Sequence, residues 1–450
     1  MFLIFINMSS RYLELAPTNK TTDDKYSFKK GVAQVNFSIP EGQHVLDPSS
    51  VRLVGDIRFY KNDADATPDG NLAISSRLGV WSCFQQLIWR SGKFQTTLSH
   101  EKNWNRWLSS YISLTSGFED SIGHLSQSAL TMPNFEVSRK SVVAKDTRQS
   151  FCVHLPCSLL QSGSSIPLTR NTIGSLDLSI MLESDAMVMN VLPADNSTAP
   201  DTSAFTGAYY ELSNLKLVCS VITPPPDELS RLMSQKEGAM TFQSVHSFYD
   251  TSNSAQLQVA MNFGLQKVKS LYVNMIPSDQ LNNLVADSFA TLAPINTDGT
   301  LADTKKVSLL RGGTLYPKLF PRDTNIKETP STMSADPVLF RDYVNSVVDF
   351  DKIRHLQGSL ANVNRNFVGG IVGGAETGIP YQLVANGGVV QGVGVNYDNF
   401  LDGPGINLSQ EQFGLAIECD LTSNNSQSLF LFVNAETSVL YDQMGIQVRQ

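Results

Sequence analysis

Three consecutive prolines, Pro224-Pro225-Pro226, stand at the midpoint of a chain whose apolar residues otherwise alternate with polar ones. Proline has no N–H to give to a sheet ladder, so no central strand runs through such a triplet. Alternation reaches it from one side and resumes on the other. Before it, Val51, Leu53, Ile57 and Phe59 alternate with Arg52, Asp56 and Arg58, and Leu176, Leu178, Ile180 and Leu182 with Asp177, Ser179 and Glu183. Leu215, Leu217, Cys219 and Val221 lead directly into it. After it come Leu257, Val259, Met261 and Phe263, then Leu271, Val273 and Met275, then Phe413, Leu415, Ile417, Cys419 and Leu421. A period of two places one apolar face on a core and leaves the other for solvent or a neighbour. The run Leu429-Phe430-Leu431-Phe432-Val433 is apolar at every position, which predicts a central strand covered on both sides.

Helical spacing is scarce. Trp104, Trp107, Leu108 and Tyr111 fall at i, i+3, i+4 and i+7, and so do Phe340, Tyr343, Val344 and Val347 behind Asp336 and Pro337. A short polar helix is expected over Asp227–Met233. The chain therefore reads as all-β: two similar halves, each a sandwich with short helices in its connections. Residues 1–27 are expected to form an N-terminal arm outside both sandwiches, because Asn19-Lys20-Thr21-Thr22-Asp23-Asp24-Lys25 cannot bury enough apolar surface to fold alone. Residues 28–222 are expected to form the first sandwich, 223–237 a linker and 238–450 the second. Asn62–Asn71, Pro193–Gly207 and the glycine-rich stretch from Gly369 to Gly394 read as loops or irregular strands.

Charge limits the partners. The net charge is −8, split as −1 over residues 1–225 and −7 over 226–450, and no Lys/Arg cluster suits a phosphate backbone. Direct, specific nucleic-acid binding is not expected. Only 17% of residues are charged, against about 25% in an average domain, so uncharged polar side chains must cover much of the surface. The opening apolar run Met1–Ile6 is too short for a signal h-region or a membrane span. Cys83, Cys152, Cys157, Cys219 and Cys419 are odd in number and sit mostly in alternating segments, which suits reduced, buried thiols made inside a cell.

Motifs that carry chemistry are weak. Cys152-Val153-His154-Leu155-Pro156-Cys157 resembles one zinc knuckle, but a zinc site needs a second. On a strand Cys152 and His154 would share a face, and Pro156 would turn Cys157 away. Asp63, Asp65 and Asp69 lack the closing Glu and mid-loop Gly of a calcium loop and read as a solvated hairpin tip. Gly369-Gly370 and Gly373-Gly374 do not open a helix after a strand, so they are not a phosphate cradle. His44, His100, His124, His154, His246 and His355 are scattered, and no Gly-x-Ser-x-Gly or His-Glu-x-x-His occurs. Glu119-Asp120 and Asp349/Asp351 read as loop charges. Trp104, Trp107 and Tyr111 could stack on a sugar, yet their helical spacing makes them core residues first. No catalytic, cofactor or metal residue is assigned.

A set of ordered segments carries a resemblance. Arg11–Thr18 is followed by Tyr26-Ser27-Phe28, Arg77-Leu78-Gly79-Val80, Ile88-Trp89-Arg90-Ser91-Gly92, Gly123-His124, Leu130-Thr131-Met132-Pro133-Asn134, Phe151–Leu155 and Gly207-Ala208-Tyr209-Tyr210-Glu211-Leu212. In that order the chain resembles the double jelly-roll major capsid proteins of polinton-like viruses and their virophage-like relatives. Such proteins begin near Met8-Ser9-Ser10-Arg11, which makes Met1–Asn7 an upstream extension. The resemblance implies two consecutive eight-stranded jelly rolls and no enzyme activity or cofactor. It also implies a homotrimer whose six jelly rolls form a pseudo-hexameric capsomer of an icosahedral, double-stranded DNA virion made inside the host cell. Neighbouring capsomers, penton and other minor capsid proteins are the implied partners. The competing classes are a glycan-cleaving hydrolase and a carbohydrate-binding protein on a paired jelly roll.

Overall fold

The alternating segments are strands, and among the described residues their ladders sort them into two sets. The computed structural model describes residues 9–61, 72–75, 78–115, 128–130, 148–162, 164–191, 202–234, 237–253, 256–262, 264–284, 288–289, 304–312, 314–316, 371–372, 375–376, 393–396, 407–410, 412–419, 426–442 and 444–450. Before the prolines lie β1 (Ser9–Leu15), β2 (Gln34–Ile39), β3 (Val45–Tyr60), β4 (Phe84–Ser91), β5 (Thr97–Glu101), β6 (Gln149–His154), β7 (Leu176–Leu182) and β8 (Tyr209–Thr223). After them lie β9 (Glu237–Ser252), β10 (Gln256–Met261), β11 (Val268–Pro277), β12 (Thr304–Arg311), β13 (Thr314–Tyr316), β14 (Val393–Asn396), β15 (Phe413–Cys419) and β16 (Gln427–Asp442).

The first set forms one sheet in the order β1-β8-β3-β6 and another in the order β2-β7-β4-β5. The second set repeats both orders strand for strand, β9-β16-β11-β14 and β10-β15-β12-β13. All these pairings are antiparallel, and in each half the first strand pairs with the last. That is jelly-roll order, twice. Among the described residues no sheet takes strands from both sides of residue 225.

Each sandwich closes on the apolar faces that the alternation marks. Leu53, Ile57, Leu217 and Cys219 meet Phe37, Leu178, Ile180, Leu87 and Trp89 in the first half, all 2% exposed or less. In the second, Leu271, Val273, Met275, Leu429, Leu431 and Val433 meet Leu257, Val259, Leu415 and Ile417. Gly55 interrupts the inward series of β3 for a steric reason. A Cβ there would lie 2.5 Å from Leu215 Cδ2 and 3.0 Å from Phe151 Cζ, because those side chains already fill its place.

Trp104–Thr115 forms helix α1 in the connection after β5, a one-turn helix α2 spans Asp185–Val188, and α3 (Pro226–Ser234) begins on the last proline of the triplet. Pro226 stands at its first turn, followed by Asp227 and Glu228, which favour a helix N-terminus. The helix expected around Phe340–Val347, the loop Asn62–Asn71, most of Pro193–Gly207 and most of the glycine-rich stretch lie outside the described residues.

The N-terminal arm requires a correction. Residues 9–15 are an integral strand, paired in register from Ser9↔Thr223 to Leu15↔Leu217. Lys25–Tyr26 also joins β8, and Tyr26 is fully buried. The polar stretch between them is held without a core of its own. Thr18 N–H donates to Asn36 O (2.7 Å), Asn19 Nδ2 to Gln34 O (2.8 Å), and Asn36 N–H to Asn19 Oδ1 (2.9 Å). Hydrogen bonds to the start of β2 replace the missing apolar burial. The cysteines require a second, smaller correction: Cys83, Cys157, Cys219 and Cys419 are buried free thiols, but Cys152 is exposed.

Gly55→Leu is expected to lower stability by about 1–3 kcal/mol through overpacking against Leu215 and Phe151. The midpoint of urea denaturation reads it, and an unchanged midpoint would show that this part of the core has slack.

Candidate functional site

The residues weighed for chemistry do not converge. Cys152 and His154 share the exposed outer face of β6, whereas Cys157 beyond Pro156 is fully buried. Among the described residues no three His, Cys, Asp or Glu side chains are grouped to hold a metal. Trp104 and Trp107 are buried in α1, with Trp104 Nε1 donating to Pro156 O at 2.8 Å and Trp107 stacked on Tyr111 at 5.0 Å. Two indoles so enclosed cannot stack on a sugar. Asp63, Asp65, Asp69, Glu119, Asp120, Asp349, Asp351, His124 and His355 lie outside the described residues.

Three buried polar groups have geometry of chemical interest, and each is enclosed. Ser244 Oγ lies 2.8 Å from His246 Nε2, the contact of a nucleophile with its base. Yet Ser244 also lies 2.7 Å from Thr437 Oγ1 and donates to Ala435 O at 3.2 Å, packed into the sheet. Burial pushes the His246 imidazole down to about 4, so it is neutral at pH 7. Burial likewise pushes the Glu101 carboxyl up to about 7, the range of a general acid. Glu101 is 3% exposed and accepts hydrogen bonds from Ser158 N–H and Ser99 Oγ. The open cleft of about 650 Å³ lined by Glu237, Tyr441, Asp442 and Gln447 contains neither group.

Ser244 and His246 pair with Ala435 and Val433 on the inner face of the sheet β9-β16-β11, whereas Glu101 lies beside a seam where the first sandwich covers its outer face. Expected to be apolar on one face only, β11 is instead buried on both, because Tyr272, Asn274 and Ile276 lie under this cover. Phe430 and Phe432 of β16 join them. Over these side chains lies α1. Arg106, 1% exposed, places its guanidinium 4.0 Å from the Phe289 ring centroid and 5.2 Å from that of Phe430, and donates to Ser288 O. Ser109 Oγ donates to Phe289 O (3.0 Å), and Asn274 Nδ2 to Ser110 Oγ (2.6 Å).

The outer edge of β9 is closed by the same half. Val245 N–H donates to Ser158 Oγ (3.2 Å), Ser247 Oγ to Lys102 O (2.7 Å), and Asn103 Nδ2 to Ser247 Oγ (3.2 Å). Glu101 stands directly behind this clasp. Sequence reasoning marked α1 as a core helix but missed the seam. Arg106 falls on the helix face opposite the stripe of Trp104, Trp107, Leu108 and Tyr111, so no local pattern marks it as buried.

No protein-family model matches the sequence, and no curated protein matches it. Solved structures do. The quasi-atomic model of the PBCV-1 virus capsid superposes with a TM-score of 0.58 at 11% identity, over 100% of this chain and 98% of that one. This chain has the double jelly-roll fold. The Sputnik virophage structure gives 0.58 at 12% identity over 100% of this chain and 89% of that one. The Faustovirus major capsid protein gives 0.56 at 10% identity, over 97% and 91%. Those matches run the length of the double jelly roll, so the pairing of its two sandwiches, and not one sandwich alone, is what they have in common.

Two measurements test the seam. Arg106→Ala is expected to cost about 2–3 kcal/mol in chemical denaturation, since it removes a buried guanidinium from two rings and a carbonyl. Glu101 gives a pH signature. Its folded-state pKa of about 7 lies above the ordinary 4.5, so the folded chain keeps a proton that the unfolded chain has lost. Its contribution to stability is therefore fully present below about 4.5 and is lost as pH rises to about 7. Glu101→Gln cannot lose that proton. The stability of the variant relative to the native protein should rise across this window by up to about 3 kcal/mol and then level off. A difference independent of pH would place Glu101 in a solvated site.

Proposed function

We propose that this protein is a major capsid protein, a building block of a virion shell. The observation that carries the reading is a jelly roll repeated twice in one chain with identical strand order and a built-in seam. Its full-length likeness to the PBCV-1 capsid structure supports it. Its long connections after β3, β5 and β13 are segments such a building block would use for contact.

In this reading the sandwich of residues 9–222 and that of 238–450 are separate units joined through 223–237. Three chains associate into a pseudo-hexameric capsomer of six jelly rolls, and capsomers tile an icosahedral shell around a double-stranded DNA genome. The sequence segments favour the polinton-like and virophage-like lineages. Neighbouring capsomers, a penton protein and other minor capsid proteins are its partners in the virion, which is made inside the host cell. Glu101 and His246 serve packing, and the protein is not an enzyme.

Native mass spectrometry of the purified protein should report a mass of three chains at micromolar concentration, and electron microscopy of assembled material should show hexagonal units. A monomer at that concentration, with no particles, would overturn the reading.

A further inference from the structure

The clasp that fastens the first half to the edge of β9 is built from two short segments. Lys102 O accepts from Ser247 Oγ, Asn103 Nδ2 donates to the same hydroxyl, and Ser158 Oγ accepts the Val245 N–H. Glu101 ties the segments together. It directly precedes Lys102, and its Oε1 accepts hydrogen bonds from the Ser158 N–H and from Ser99 Oγ. Both parts of the clasp thus meet at one carboxyl, enclosed in protein. Its other oxygen, Oε2, is buried, and among the described residues it has no hydrogen-bond partner.

The side chains around Glu101 leave an ionised carboxylate without a cation. Glu101 pairs with Leu87 of β4 and is buried like it. His100 and Lys102 of the same strand and Arg90 of β4 act on one another on the opposite face. Cys157 faces Glu101 from the segment after β6, and burial, reinforced by the carboxylate, pushes its thiol well up, so the thiol stays neutral. Arg106 of α1 is occupied by Ser288 O and by the rings of Phe289 and Phe430, and His246 of β9 lies against Ser244 Oγ. Neutral, the carboxyl leaves one hydrogen bond unmade. Ionised, it is a buried charge held by two donors alone, which is far less favourable.

We propose that Glu101 is a pH-sensitive latch between the two sandwiches: neutral, it closes the clasp on the edge of β9, and ionised, it turns to water and opens it. The contacts of α1 with Phe289 and Asn274 do not pass through Glu101, so the halves stay joined while this edge comes free. The inference concerns a single chain and does not depend on the capsid reading. Its direction follows from burial. The closed clasp holds the carboxyl at about 7, whereas in the open one the group meets water and titrates near its ordinary 4.5. Opening is rarest below about 4.5, grows more frequent as pH rises, and levels off above about 7. Between about pH 5 and about pH 8 the open fraction should rise about 70-fold.

Amide hydrogen exchange tests the latch. Protection factors of the Val245 and Leu431 amides are compared in the native protein and in Glu101→Gln, at both pH values, with and without urea below the unfolding transition. The Val245 amide reports the clasp, and the Leu431 amide, deep in the second sandwich, reports unfolding of the whole chain. In the native protein Val245 protection is expected to fall about 70-fold from the lower pH to the higher, with no response to urea, and in the variant it is expected not to fall. Val245 protection that is flat with pH in the native protein, or that falls equally in the variant, overturns the latch. So does Val245 protection that weakens with urea in step with Leu431, because the clasp then opens only when the chain unfolds. Should the variant not fold, the pH and urea dependence of the native protein decides by the same criteria.

Discussion

Arg106 enters the seam with its guanidinium against the rings of Phe289 and Phe430, and the relation of the two halves depends on that contact. A cation so far from water is costly unless ring faces and carbonyl oxygens replace its hydration. Here Ser288 O accepts from it and Met187 Sδ lies 3.3 Å away. Because those groups come from distant parts of the chain, the helix that carries Arg106 can rest in only one place. Apolar contact between Tyr272, Ile276, Phe432 and the first half is permissive about orientation; directional hydrogen bonds from Ser109 and Asn274 are not.

Covering that face changes what the second sandwich is. A jelly-roll sheet normally shows its outer side to solvent, yet β16 is buried from Gln427 to Val433 without interruption. The two halves therefore share one hydrophobic cluster running from the first core through α1 to Phe430, Phe432 and Val439, while the interior of the second sandwich keeps a cluster of its own. The two halves are thus held by apolar packing as well as by hydrogen bonds.

Packing also places ionisable groups where water is excluded. Glu101 stands beside the seam and His246 on the inner face of the second sandwich, and they are shifted in opposite directions, both by burial. Both shifts favour the neutral form, the expected response where no compensating charge is at hand. They look like catalytic values only while the packing around them is ignored.

Most of the strand content could be read from residues alone, because alternation is a local pattern and its cause, one wet face and one dry face, acts on every strand separately. The all-apolar run Leu429–Val433 likewise announced cover on both sides. The sequence could not say what covers Leu429–Val433. Asn274, Ser288 and Phe289 meet α1 across more than 160 positions, and no local pattern records such a meeting. The first strand was missed for a related reason. Only Leu13 and Leu15 turn inward from β1, and the polar stretch after it looks like a tail until Asn19 is seen bonded to Gln34 and Asn36. Local chemistry thus determined which segments are strands and which of them need cover on both faces. Only the tertiary structure decided which faces meet, because burial and hydrogen-bond partners belong to pairs of segments and not to either one alone.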